Sequence, residues 1–168
     1  MKKKPAKKSA RKKVSFMPAG YHTVTPYLAC GDAASAIEFY KRAFAAREII
    51  RIPGPNGKIG HAEVRIGDSP VMLTDEYAEM NFLGPRSRGG TTVHIHIYVK
   101  DVDAMVERAV AAGAKLLRAV KDQFYGDRTG SLEDPFGHVW HIATHKEDLS
   151  MAEMRKRGEQ VAKNAAGG

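Results

Sequence analysis

Histidine and tyrosine side chains recur at alternate positions along one predicted strand. In the run 92–99, the even positions carry His94, His96 and Tyr98 after a threonine, whereas the odd positions are all valine or isoleucine. Successive side chains of a strand point to opposite faces, so the polar groups share one face and the apolar groups the other. Imidazole and phenol groups gathered on one face can bind a metal ion, transfer a proton or hydrogen-bond a small molecule.

Three further predicted strands show the same division. The run 61–66 alternates His61, Glu63 and Arg65 with apolar residues, and in the run 138–143 His141 faces away from Trp140. The run 24–30 carries Thr25 and Tyr27 on one side. One interpretation is a solvated sheet face, which normally favours lysine, glutamate, threonine and arginine. We favour the other, a partly enclosed pocket, because histidines and tyrosines predominate.

The strands and helices that must position these residues form two copies of one plan. Each copy opens with a strand, continues with an amphipathic helix after Asp32 or Asp101, and ends in three short strands separated by turn residues. The copies occupy about 21–80 and 90–148. This arrangement predicts an α+β fold of two tandem βαβββ modules, in which neither module closes a core alone.

The net charge of +8 resides in the first 20 residues, which hold eight lysines and arginines and no acid. Removing these eight from the 27 Lys and Arg leaves 19 against 19 Asp and Glu, so residues 21–168 are formally neutral. We expect residues 1–20 to be a disordered basic tail, and residues 2–13 to associate weakly with nucleic acid or to serve only solubility. Residues 149–168 are predicted to form a C-terminal helix and a flexible end, because Ser150 and Glu153 have the spacing of a capping box.

Other features narrow the class of protein. The lone Cys30 is typical of a reducing compartment and of a small buried side chain, and no run is long and apolar enough to span a membrane. No apolar segment follows the basic start, so we expect a cytoplasmic protein without a signal peptide. No glycine-rich loop joins a strand to a helix, which predicts no nucleotide cofactor.

Several separated motifs resemble one known superfamily. The segment 32–40 (DAASAIEFY) is similar to the helix signature of the vicinal-oxygen-chelate superfamily, which comprises glyoxalase I, bleomycin-resistance proteins and extradiol dioxygenases. The segments 61–69 (HAEVRIGDS), 122–128 (DQFYGDR) and 134–140 (DPFGHVW) resemble its PhnB-like branch. The resemblance implies a sheet curled around a cavity, a homodimer and a divalent metal held at four strand positions.

Two of these four metal positions match histidines in this chain. The positions of the second module match His94 and His141, whereas those of the first match Thr25 and Leu73, or Met72 if the alignment shifts by one residue. Neither Leu73 nor Met72 is a usual ligand for such a metal. His96, His61 or Glu63 is then the candidate for a third ligand.

Two hypotheses about function follow. In the first, a divalent metal on the histidines polarises vicinal oxygens of a substrate and Glu63 or a histidine moves a proton, as in a lyase, an isomerase or a dioxygenase-like enzyme. In the second, a metal-free protein binds an antibiotic-like compound between its histidines and Tyr27, Tyr98 and Tyr125. Loops 53–58 and 121–128 would border the pocket.

Arg128 is either an anion clamp in this pocket or the partner of Asp127 or Asp122. His22, His138 and His145 are expected to be surface histidines, and Trp140 is expected in the core.

Overall fold

The computed structural model describes residues 14–166, and most of the predicted basic tail, including residues 2–13, falls outside them. The first module comprises β1 (Tyr27–Cys30), α1 (Ala33–Phe44), β2 (Arg47–Pro53), β3 (Ile59–Ile66) and β4 (Ser69–Asp75). After a linker that contains the short helix α2 (Pro85–Arg88), the second comprises β5 (His94–Tyr98), α3 (Val102–Ala111), β6 (Lys115–Asp122), β7 (Asp127–Glu133) and β8 (Val139–His145). The predicted C-terminal helix is α4 (Met151–Ala166). The α+β fold of two βαβββ modules is confirmed.

Each module forms its own four-stranded sheet. The strand orders are β1-β4-β3-β2 and β5-β8-β7-β6, and the two sheets are separate rather than closed into one barrel. In each sheet the first and last strands of the module pair in parallel, whereas the remaining pairs are antiparallel. Each sheet therefore has one face covered by a helix and one open face.

The registers of the two sheets show which residues are equivalent. Tyr27 lies opposite Met72 in the first sheet, and His96 lies opposite His141 in the second. Met72, rather than Leu73, therefore occupies the position equivalent to His141. Leu73 is fully buried, in the row of alternate residues that faces α1.

The two helices begin in the same way. Asp32 and Asp101 are N-caps whose side chains accept from the amides of Ser35 and Ala104 at 2.9 and 3.0 Å. The last strand of each module supplies a second acceptor for the first turn of its helix. In the first module it is the Asp75 carboxylate, which accepts from Ala33 N at 2.6 Å. In the second module it is the Thr144 hydroxyl, which accepts from Val102 N at 2.9 Å. These acceptors satisfy amides that have no partner within the helix, and they hold each helix against its sheet.

One core is shared by the two modules. The rings of Phe44 on α1 and Trp140 on β8 have their centroids 4.7 Å apart, and the Tyr40 hydroxyl donates to the Asp134 carboxylate at 2.8 Å. The guanidinium Nε of Arg108 on α3 donates to the Ala43 carbonyl at 2.9 Å. Because α1 and α3 pack together, the open faces of the sheets remain away from this core. Trp140 is fully buried, as predicted.

His138 corrects the prediction of a surface histidine. It is 7% exposed, and its Nε2 lies 3.1 Å from the Ala29 carbonyl oxygen and 3.9 Å from the sulfur of Cys30. The turn at 135–137 carries the side chain into the junction between the modules, which strand alternation within one module cannot reveal. Cys30 itself is fully buried, as expected.

The ends of the described chain contact the modules. Residues 14–20 contain no helix or strand, and the Gly20 carbonyl accepts from Arg65 at 3.0 Å. Helix α4 is held by Arg157, which donates to Glu147 at 3.0 Å, and Gly158 gives it a close approach to the ring of Phe124. Within residues 14–166, no helix is long and apolar enough to cross a membrane.

Candidate functional site

Three histidines lie on the open face of the second sheet. His94 Nδ1 is 3.0 Å from His141 Nε2, and His141 Nδ1 is 2.7 Å from the Ser131 hydroxyl. The ring of His96 is nearly parallel to that of His141, with centroids 6.2 Å apart. The pairing of β5 with β8 and of β8 with β7 produces this row, because His96, His141 and Ser131 are in register across the strands.

The His141 imidazole is poised to remain neutral. Burial lowers its pKa below the ordinary value, and the neighbouring His94 and His96 lower it further because protonation of one ring disfavours protonation of the others. A neutral imidazole has one donor and one acceptor nitrogen, so His141 can both donate and accept hydrogen bonds at neutral pH.

A second cluster lies on the open face of the first sheet. Tyr21 donates to Glu63, whose other oxygen is 3.0 Å from His61 Nε2, and His61 Nδ1 is 3.0 Å from the Tyr27 hydroxyl. Burial raises the pKa of Glu63, but hydrogen bonds from Tyr21 and His61 outweigh it and hold that pKa below its ordinary value. Glu63 is therefore ionised and fully engaged by its neighbours.

The structure divides the predicted metal ligands between the two sheets. His94, His96 and His141 lie on the second sheet, whereas His61 and Glu63 lie on the first. Among residues 14–166, no three His, Cys, Asp or Glu side chains converge on a point that would suit a metal ion. The Thr25 hydroxyl donates to the His22 carbonyl at 3.2 Å instead of facing the histidines. Structural and catalytic metal sites usually have at least three protein ligands, and this set does not fit one.

The remaining predicted pocket residues divide between the two faces of the second sheet. Tyr98 is 64% exposed on the open face, and its hydroxyl donates to Asp127 at 2.9 Å. Tyr125 lies in the β6–β7 turn with its ring against Phe124. Arg128 lies on the helix side, where two of its nitrogens contact Asp103 of α3 at 2.7 Å each and a third contacts Asp122 at 3.2 Å. The predicted anion clamp is thus occupied by carboxylates of the chain itself, and Asp127 is not its partner.

The two predicted border loops differ in extent from their predicted ranges. Residues 121–122 end β6 and residues 127–128 begin β7, so only 123–126 form a turn. The loop between β2 and β3 spans 54–58 and includes a short 3₁₀ turn.

Several residues of these clusters were not identified from sequence. Tyr21 precedes the first strand and reaches Glu63 only because the segment 14–25 crosses the open face of the first sheet. Ser131 and Asp127 share the strand parity of the polar face, and that alternation in β7 was the available signal. His145 was expected at the surface, and it is half-exposed with its Nδ1 2.7 Å from Asp127 and its Nε2 3.0 Å from Asp148.

The contacts of His145 with two carboxylates predict that the stability of the fold depends on pH. Hydrogen bonds to Asp127 and Asp148 raise its pKa above the ordinary value of 6.5. Because the folded-state pKa is the higher one, the pair stabilises the fold fully below the unfolded-state pKa, and this contribution is lost as pH rises through the folded-state pKa. We expect His145→Gln to remove this decline in urea-denaturation midpoints as the pH rises above the ordinary histidine pKa of 6.5.

His22→Gln provides a matched control for this measurement, because His22 lies outside the pair and contacts only the Asp68 carbonyl, at 3.4 Å. An unchanged pH profile in His145→Gln would contradict the assignment.

The sequence matches the model of one family of known proteins. Residues 20–142 match the model of the Glyoxalase/Bleomycin resistance protein/Dioxygenase superfamily. The chain belongs to this superfamily. Its members share the βαβββ architecture but differ in chemistry, so membership alone does not identify an activity.

Similar sequences occur in bacteria. This chain is 46% identical over 135 residues to an uncharacterised protein of Mycobacterium tuberculosis, and the alignment covers 79% of each chain. It is 26% identical over 145 residues to Protein YjdN of Escherichia coli, covering 74% of this chain and 96% of that one.

Two solved structures have a similar fold. TioX from Micromonospora superposes with a TM-score of 0.59 at 26% identity, covering 77% of this chain and 100% of that one. The fosfomycin resistance protein FosX from Mesorhizobium loti has a TM-score of 0.54 at 19% identity, covering 76% of this chain and 93% of that one, and this likeness concerns the fold alone.

Proposed function

We propose that this chain binds a small, planar, hydrogen-bonding molecule on the open faces of its sheets and does not require a metal to do so. The observation that carries this proposal is the row on the second sheet, in which neutral His141 links His94 to Ser131 beside the exposed Tyr98. Such a row offers donors, acceptors and aromatic surface together. The matched family model includes bleomycin resistance proteins, which is consistent with a small-molecule ligand.

We propose further that a second copy of the chain covers these faces. β5 is an edge strand of its sheet, and Val93 directly before it is 71% exposed. Exposed strand edges with apolar neighbours favour association with another chain. A homodimer would enclose the polar faces and exclude water from the bound molecule.

The donor set argues for binding by side chains rather than through a metal. Both nitrogens of His141 already contact other groups, and the first-sheet position equivalent to His141 carries the thioether of Met72. A divalent ion would then have two imidazole ligands from this chain. Glu63 is held by Tyr21 and His61, which leaves it as an acceptor within the first-sheet cluster.

Binding of 4-nitrocatechol, a planar probe with vicinal oxygens, tests this proposal by its absorption spectrum. We expect saturable binding by the metal-free wild type, and His94→Ala or His141→Ala to weaken it about tenfold, which corresponds to about 1.4 kcal/mol. Gln160→Ala, at an exposed position of α4, is the control variant and should bind like the wild type. Unchanged affinity in both His94→Ala and His141→Ala would overturn the proposal.

Metal analysis of tag-free protein distinguishes this function from a metalloenzyme. We expect metal well below one ion per chain, and binding of 4-nitrocatechol that survives dialysis against EDTA. Stoichiometric metal that disappears in both His94→Ala and His141→Ala would contradict metal-free binding and favour metal-dependent chemistry.

A further inference from the structure

The two modules meet at two junctions that the internal repeat makes equivalent, and the side chains fill only one of them. Three positions before His141 is His138, and three positions before Met72 is Ser69, so Ser69 is the equivalent of His138. Trp140 directly precedes His141 and Val71 directly precedes Met72, so Trp140 and Val71 are also equivalent. At the first junction, the His138 imidazole closes the edge of β1 by contacting the Ala29 carbonyl.

At the second junction, the smaller side chains leave a groove along β5. Its volume is about 890 Å³. On the helix-facing side, Ile97 and Val99 are only half-buried, although their equivalents Leu28 and Cys30 are 7% and 0% exposed. The apolar wall of the groove comprises Phe44, Ile66, Val71, Ile95, Ile97 and Trp140. Ile95 and Ile97 lie on the side of the second sheet opposite the histidine row, and His96 and Tyr98 of that row border the groove along the edge strand β5.

The rim of the groove is cationic. Arg47, Arg65 and Lys100 line it, with Asp68 as its single carboxylate. Arg47 and Arg65 lie directly opposite each other in the β2–β3 pair, and like charges in that position repel. Arg65 donates to the carbonyls of Gly20 and Asp68 at 3.0 and 2.9 Å. Within the described residues, neither Arg47 nor Lys100 forms an ion pair with a carboxylate.

We propose that this groove is a second binding site, for an amphipathic organic anion whose apolar body lies against the wall and whose carboxylate or sulfonate contacts Arg47 and Lys100. The volume lies within the range of about 300–1,000 Å³ typical of small-molecule sites. An anion would also relieve the repulsion between Arg47 and Arg65. The chain's own basic N-terminal segment is a poor occupant, because its eight lysines and arginines would face a rim of the same charge.

A pair of fluorescent probes that differ in charge tests the site. 8-Anilino-1-naphthalenesulfonate and N-phenyl-1-naphthylamine share an aromatic body, and only the first carries a sulfonate. We expect the sulfonate probe to bind the wild type once per chain and more tightly than the neutral one. The double variant Arg47→Gln/Lys100→Gln should weaken the sulfonate probe about tenfold and leave the neutral probe unchanged, while Ser69→His should weaken both by filling the groove.

Two controls make the test decisive. Arg155→Gln, on exposed α4, removes a charge away from the groove and should change neither affinity. Unsubstituted catechol, which is uncharged at neutral pH, should bind the Arg47→Gln/Lys100→Gln variant as it binds the wild type, so failure of this site and failure of the histidine face are distinguishable. Unchanged sulfonate affinity in the double variant would overturn the proposal. So would probe binding that weakens as the chain concentration rises, since a second copy would then occupy the groove.

Discussion

Replacing Asp134 with alanine is expected to lower the free energy of unfolding by about 4 kcal/mol. Hydrogen bonds to a buried carboxylate are worth about 1.5–3 kcal/mol each, but the loss is smaller than their sum because the variant no longer carries the cost of burying a charge. Asp134 is 1% exposed and accepts four hydrogen bonds. The Tyr40 hydroxyl and the indole nitrogen of Trp140 donate to one oxygen at 2.8 and 2.9 Å. The amides of Phe136 and His138 donate to the other at 2.9 and 3.0 Å.

Urea denaturation followed by circular dichroism measures this loss as a lower midpoint with an unchanged slope. Asp134→Asn keeps the shape and one acceptor oxygen, so we expect a smaller loss. Asp32→Ala is the control for an exposed carboxylate that caps α1, with an expected loss of about 1 kcal/mol. A loss in Asp134→Ala no larger than that of Asp32→Ala would show that the four contacts do not stabilise the junction.

Asp134 also links the core to the binding faces. Tyr40 belongs to the first module, whereas Trp140 precedes His141 on β8. The carboxylate therefore anchors β8, which carries His141, to the helix of the other module. Loosening it should disturb binding at both proposed sites, which is why the binding variants above avoid this network.

The local features of the fold could be predicted from sequence because they depend on neighbouring residues. The N-caps Asp32 and Asp101 are signalled by the helical periodicity that follows them, and the polar parity of β5 is visible as alternating histidines. Alternation likewise placed Trp140 on the helix side, where it is fully buried.

The features that were missed depend on contacts between distant segments. His138 is buried because β8 begins against β1 of the other module, and Arg128 is paired because α3 crosses its strand at Asp103. The separation of His61 and Glu63 from the histidine row reflects the division into two sheets, which no spacing within a strand reveals. The groove beside Ser69 became recognisable only when the strand registers defined its equivalent.

Replacing Trp140 with alanine is expected to lower the free energy of unfolding by about 3–5 kcal/mol, the usual cost of deleting a large buried aromatic side chain. Trp140 is fully buried, its ring centroid lies 5.4 Å from that of Tyr40, and its indole donates to Asp134. The loss is a large part of the 5–15 kcal/mol that usually stabilises a domain. Since Trp140 is the only tryptophan of the chain, circular dichroism rather than tryptophan fluorescence must follow the unfolding.

Two further variants set the scale of the loss at Trp140. Trp140→Phe keeps a benzene ring but loses the pyrrole part of the indole together with its N–H donor, so we expect a smaller loss of about 1–2 kcal/mol. Phe124→Ala removes an aromatic ring that is 39% exposed, and should cost less than Trp140→Ala. Because Trp140 contacts α1 of the other module, both modules should unfold in one transition, and Trp140→Ala should lower its midpoint without splitting it. Two separate transitions in the wild type would show that each module has its own core, contrary to the shared core described above.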